Sequence, residues 1–223
     1  MEKKHIACIF GFCILVIGLL PILCFAEDSS SVDMIGVRVG IWSALKAENM
    51  ASNPLEENST TKGYMEIFIS SRLRKRFARE ISLGWYDRGN TGYSVGYHSP
   101  YGYDYIAYYN QRVAIFPLSL GYKFYPLSPT KNYRWQPYIS AGVGLVCGLE
   151  KGAAEYKGSY SNTQFTFGWF VGGGLECRLG LIFGHVTVLG FNLKYRGVNF
   201  EEEIGGLKDY SGLEATLGLS SIL

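Results

Sequence analysis

The stretch YISAGVGL, residues 138–145, decides how the rest of the chain is read. Tyr138, Ser140, Gly142 and Gly144 alternate with Ile139, Ala141, Val143 and Leu145. A strand sends successive side chains to opposite faces, so this segment predicts a strand with one apolar face and one small or polar face. Which of those faces meets water then fixes the kind of protein.

Working outward, the same theme recurs. Alternating runs occupy residues 34–42, 64–74, 77–86, 113–125, 135–146, 165–179, 187–196 and 210–223. In the first, Ile35, Val37, Val39 and Ile41 oppose Gly36, Arg38 and Gly40. In the last, Leu213, Ala215, Leu217 and Leu219 oppose Gly212, Glu214, Thr216 and Gly218. No sustained helical period appears. The connections after the second, fourth and sixth runs are short, and the others are longer. Eight such runs predict an all-β fold, an eight-stranded antiparallel up-and-down barrel with two unlike ends.

The residues before the first run read differently. Lys3 and Lys4 precede an apolar run at residues 6–23, followed by Cys24, Phe25 and Ala26. This predicts a signal peptide over residues 1–26, cleaved after Ala26, and one barrel domain over residues 27–223. Cys8, Cys13 and Cys24 would leave with the signal, so only Cys147 and Cys177 bear on a disulfide. The predicted register places those two at opposite ends of a hairpin, too far apart to bond. The net charge of +2 is too near zero to argue for a nucleic-acid partner.

Alternation alone fits either a soluble barrel, apolar inside, or a membrane barrel, apolar outside. Three features favour the second. The polar face is loaded with glycine: Gly36, Gly40, Gly84, Gly121, Gly142, Gly144, Gly172, Gly174, Gly190, Gly212 and Gly218. Glycine weakens a solvent-facing strand but makes room inside a narrow barrel. Trp42, Trp85, Tyr125, Trp135, Trp169 and Tyr195 fall near strand ends, where aromatic girdles meet the membrane interfaces. The signal peptide directs export. Ile139, Ala141, Val143 and Leu145 are therefore expected to face lipid. Closure follows, since lipid cannot satisfy an open sheet edge.

Four stretches carry a resemblance: IFPLSLGYKFYP (115–126), QPYISAGVGL (136–145), FGWFVGGGLECRL (167–179) and YSGLEATLGLSSIL (210–223). With the first strand they span most of residues 33–223, and they resemble the small outer-membrane β-barrel proteins of Gram-negative bacteria, of the OmpA-transmembrane-domain and OmpW-like kind. That resemblance implies a cell outer membrane location and contact with outer-membrane lipid and lipopolysaccharide. It also implies engagement of the barrel-insertion machinery through the C-terminal strand. The family usually ends in an aromatic residue, whereas this chain ends in Leu223.

Candidate functional residues fall into a few groups. Arg38, Glu66, Lys123, Glu176, Arg178, Lys194 and Glu214 lie on the inner face, where they either fill the narrow interior as ion pairs or line a polar path. The connection at residues 87–111 holds Tyr93, Tyr97, Tyr101, Tyr103, Tyr105, Tyr108 and Tyr109. Tyrosine gives a large rigid face and a hydroxyl, as binding loops use, but the alternation there also fits strands extending above the membrane. The basic segment at residues 71–80 reads as a periplasmic rim near lipid phosphates. Glu201, Glu202 and Glu203 read as a solvated cluster in the last long loop, without metal-ligand spacing. His98 and His185 lack a positioned partner, so neither catalysis nor a cofactor is expected. Two functional readings follow for a monomer. One is a structural or surface-interaction protein acting through its long loops; the other, which the OmpW-like resemblance implies, is a narrow channel or transporter for small, apolar solutes.

Overall fold

The computed structural model describes residues 33–44, 61–74, 76–98, 104–127, 134–154, 158–182 and 184–222, with the backbone alone for residues 90–111. The predicted signal peptide, Tyr101 and Tyr103 lie outside the described residues. The strands are β1 (Asp33–Ala44), β2 (Thr61–Arg74), β3 (Phe77–His98), β4 (Asp104–Phe124), β5 (Trp135–Ala154), β6 (Gly158–Ile182), β7 (His185–Ile204), β8 (Leu207–Asp209) and β9 (Gly212–Ile222). Neighbouring strands are antiparallel, and pairings of β6 with β7 and of β1 with β9 close eight of them into a ring. The short β8 pairs with β7 and stands outside the ring.

The period of two holds around this ring. On β5, Val143 is 61 % exposed and Ile139 also faces out, while Tyr138 and Ser140 are buried. On β9, Leu213, Leu217 and Leu219 face out and Glu214 and Thr216 are buried. The outward residues form an apolar belt, and the sheet leaves no open edge within it. That is the arrangement a bilayer requires.

Two aromatic positions differ from expectation. Trp42 and Tyr125 are 1 % and 0 % exposed and point into the barrel, not into an interfacial girdle. Each has the parity of the inner face, so the pleat overrides position near a strand end. Trp85, Trp135 and Trp169 do face outward.

The glycine-rich inner face has a packing reason. The Phe170 ring lies on the backbone of β4 and β5, where a Cβ at Gly121 or at Gly142 would fall 2.5 Å from ring carbons. A Cβ at Gly142 would also fall 2.4 Å from the Leu120 carbonyl oxygen. Gly142→Val is therefore expected to lower stability by about 1–3 kcal/mol through overpacking. Urea unfolding in micelles reads this, and an unchanged midpoint would show that Phe170 has room elsewhere.

Two regions outside the predicted runs are strand, one read as a loop and one left open between loop and extended strands. β3 and β4 continue to His98 and from Asp104, with Tyr93 opposite Tyr109 and Tyr97 opposite Tyr105 in register. The tyrosine-rich connection is thus mostly a long hairpin. Glu201, Glu202 and Glu203 are the last exposed turn-ward residues of β7, not a loop. In the β3–β4 hairpin the ladder carries on beyond the apolar belt, whereas Glu201, Glu202 and Glu203 lie in the irregular stretch between the Asn199–Asp209 and Ile204–Leu207 pairs. Cys147 pairs with Phe165 and Cys177 with Trp135 in the β5–β6 ladder, at opposite ends of the hairpin and without a disulfide between them.

Candidate functional site

Among the described residues, buried charged side chains gather in the barrel interior. Glu66 is fully buried, and Arg38, Lys123, Glu176, Lys194 and Glu214 are buried with it. Glu80 on β3 and Arg196 on β7 join them. Alternation places each of these on the inner face, because Glu80 shares parity with Ser82 and Arg196 with Lys194.

These side chains form an alternating chain of charge. Glu176 meets Lys123 at 2.8 Å, and Lys123 meets Glu80 at 2.7 Å. Arg38 bridges Glu80 and Glu66, donating to Glu80 Oε1 at 2.8 Å and to Glu66 Oε1 at 2.7 Å. Lys194 lies 3.4 Å from Glu66 and 3.6 Å from Glu214. Arg196 closes the series by donating to Glu214 Oε2 at 2.8 Å. Four carboxylates alternate with four cations, so the network is neutral as a whole. A buried charge persists only when paired and hydrogen-bonded.

Aromatic rings fill the gaps between these groups. The Arg38 guanidinium sits 3.6 Å above the Phe68 ring, and Lys194 Nζ lies 5.0 Å from the Phe170 centroid. Tyr64 donates to Glu66 Oε2 at 3.0 Å, and Tyr125 donates to Glu176 Oε2 at 3.0 Å. Arg178 was expected in the network but is only half-buried. It lines a small cavity at the short-turn end with Met34, Ser70, Arg72 and Gln136. That cavity leaves about 10 Å³ for the centre of a water-sized sphere, close to the room one water needs.

The opposite mouth is closed by a different device. Trp42, Tyr86, Val113, Ile115, Val146 and Phe200 form a buried apolar layer above the ions, and Ile204, Leu207 and Tyr210 pack into it. The turn between β7 and β8 therefore folds inward across the lumen. Arg88 donates to the Gly205 carbonyl at 2.7 Å, and the Gly205 N–H donates to Glu150 Oε2 at 3.1 Å. Arg88 is the extra residue of a bulge in β3, between the pairs Asp87–Ala114 and Gly89–Val113. Arg88 has the inner-face parity of Tyr86 and so points inward by alternation, while the bulge shifts the register beyond it and brings Gly89 opposite the buried Val113. Gly205 has φ +60° and a Cβ there would lie 2.4 Å from Val113 Cγ2, so only glycine fits.

Sequence reasoning missed this closure. Its signal is the pair Gly205-Gly206 flanked by Ile204 and Leu207, apolar residues beside a turn that ought to be solvated. Of the candidate recognition residues, Tyr93, Tyr97, Tyr105 and Tyr108 lie on the long β3–β4 hairpin at this same end of the barrel.

Comparison with known proteins follows the same architecture. The family model described as outer membrane protein beta-barrel domain matches residues 13–221. No curated protein sequence matches the chain. Among solved structures, the chain is similar to neisserial surface protein A, with 13 % identity, 86 % of this chain and 96 % of that chain covered, and a TM-score of 0.47. It is similar to the attachment invasion locus protein of Yersinia pestis, solved with the heparin analogue sucrose octasulfate, at 9 % identity, 86 % and 96 % coverage and a TM-score of 0.46. It is also similar to the N-terminal β-barrel domain of OprF from Pseudomonas aeruginosa, at 14 % identity, 86 % and 97 % coverage and a TM-score of 0.44.

Proposed function

The chain belongs to the outer membrane protein beta-barrel domain family, and we propose that it serves as an occluded outer-membrane barrel that acts through its outer hairpins, in a structural or surface-binding role. Outer-membrane barrels place short turns at the periplasm and long loops outside. The protruding β3–β4 and β5–β6 hairpins then stand on the cell surface, where the tyrosines of the first offer contact to a protein or a sugar. The role proposed is non-enzymatic.

One observation carries this reading over the transporter alternative. The lumen is crossed twice, by the charge chain from Glu176 to Arg196 and by the apolar layer capped with Ile204 and Leu207. An eight-stranded barrel is just wide enough for its own side chains, and here they fill it.

Planar-bilayer recording of the refolded protein tests the reading. Insertion, verified separately by resistance of the membrane-embedded strands to protease, is expected without steady openings. Gly205→Val should lift the β7–β8 turn off Val113 and still give no conductance, because the ion pairs below remain. Steady openings in the unmodified protein would replace this reading with the narrow-channel one.

A further inference from the structure

The outward face of the barrel has one exception to its apolar character. Between the Phe77–Phe124 pair near the short turns and the Trp85–Phe116 pair near the outer rim, Arg79 is the sole cation at an outward position among the described residues. It is half-buried, and its Nη2 is shut off from water without an acceptor. No carboxylate in the described structure pairs with it, unlike the four interior cations.

The residues beside Arg79 are polar too. In register, Arg79 lies opposite Ser71 on β2 and Tyr122 on β4. Tyr122 is exposed, and Arg76 is exposed in the adjoining β2–β3 turn. A guanidinium and two hydroxyl-bearing residues therefore form a row across three adjacent strands, with a second arginine at its lower edge. On β3 and β4 the outward neighbours Phe77, Ile81 and Leu120 are apolar, and on β1 the row ends at Asp33, opposite Ser71.

A lipid-facing arginine is costly at the bilayer centre and nearly free at the interface. Arg79 stands two residues above Phe77, about 7 Å along the strand. A long side chain at that depth can lay its stem on apolar surface and reach the headgroup layer. What it meets there is phosphate, the anion that guanidinium binds with paired hydrogen bonds.

We propose that Arg79, with Ser71, Tyr122 and Arg76, forms a binding site for the phosphate of a glycerophospholipid in the leaflet at the short-turn end. The lipid holds the barrel at a fixed depth, and its phosphate meets the accessible side of a guanidinium that no carboxylate of the described residues neutralises. The site is independent of the occluded interior and of the outer hairpins.

Native mass spectrometry of the full chain, released from micelles supplied with phosphatidylglycerol, tests the proposal. The unmodified protein is expected to retain bound phospholipid, and R79Q to retain about fivefold less, the weight of one cation near a lipid surface. R79K should fall between them, since it keeps the charge and loses the planar fork. The Ser71→Ala/Tyr122→Phe double variant keeps every charge and should show a smaller loss. Folding of each is read by the heat-dependent shift in electrophoretic mobility. Equal retention by the unmodified protein and folded R79Q overturns the site. If R79Q does not fold, equal retention by the folded double variant does so. Displacement of the lipid by millimolar inorganic phosphate, or preferential retention of lipid A, overturns the assignment to a glycerophospholipid.

Discussion

Val143→Arg is expected to abolish assembly into membranes. Val143 is 61 % exposed at an outward position midway along β5, and Leu217 on β9 is 56 % exposed in the same belt. At the bilayer midplane an outward arginine costs about 2–4 kcal/mol, a large part of the margin that holds a small domain folded. Leu217→Arg should behave alike, although it lies on a different strand, because the cost depends on depth and not on local partners. Ser161→Arg is the control. Ser161 lies on β6 opposite Lys151, beyond the apolar belt, and is a strand residue rather than the loop residue its sequence suggested. The measurement is the folded fraction after refolding into vesicles, read by electrophoretic mobility without heating. Equal assembly of all three variants would show that the outward face does not meet lipid. A defect confined to Val143→Arg would point instead to a local contact on β5.

Alternation was legible wherever the two faces differ sharply in polarity. YISAGVGL, the first strand and the last strand could each be assigned a face from sequence, because a period of two leaves one consistent register. The same rule placed Arg38, Glu66, Lys123, Glu176, Lys194 and Glu214 inside, where the structure brings them together. Errors arose where a second cue competed with parity. Trp42 and Tyr125 sit near strand ends and suggested a girdle, although both have inner-face parity. Glu80 fell within the third predicted strand but was read with the basic segment at residues 71–80 as part of the periplasmic rim. Other features had no periodic signature at all. The Arg88 bulge shifts the register by one residue, and the inward fold of the β7–β8 turn depends on contacts with strands across the lumen. The β3–β4 hairpin was legible only in part, since the alternation of its tyrosines fitted a strand and its length a loop.

Arg38→Met is expected to be the most destabilising change inside the barrel. Arg38 is the only described cation bonded to both Glu66 and Glu80, and all three are buried. Removing it leaves two carboxylates on the neighbouring strands β2 and β3 without their shared cation, with Lys194 at 3.4 Å and Lys123 at 2.7 Å as their remaining partners. Breaking a buried pair from one side costs about 3–5 kcal/mol, because the surviving charge stays out of water without compensation. Methionine keeps most of the side-chain volume, so the loss reports charge and hydrogen bonding more than a cavity. Glu80→Gln alone should also destabilise, since it strands part of the positive charge of Arg38 and Lys123. Combining the two restores neutrality in the chain, and the double variant should be more stable than the sum of the single losses predicts. Groups that share a network commonly couple by about 0.5–3 kcal/mol. Urea titration of the four proteins in the same micelle, followed by tryptophan emission, completes the cycle. Additive losses would mean that the ion pairs act separately and that shape alone fills the lumen. A coupling of the expected sign would mean that the interior is held as one neutral unit.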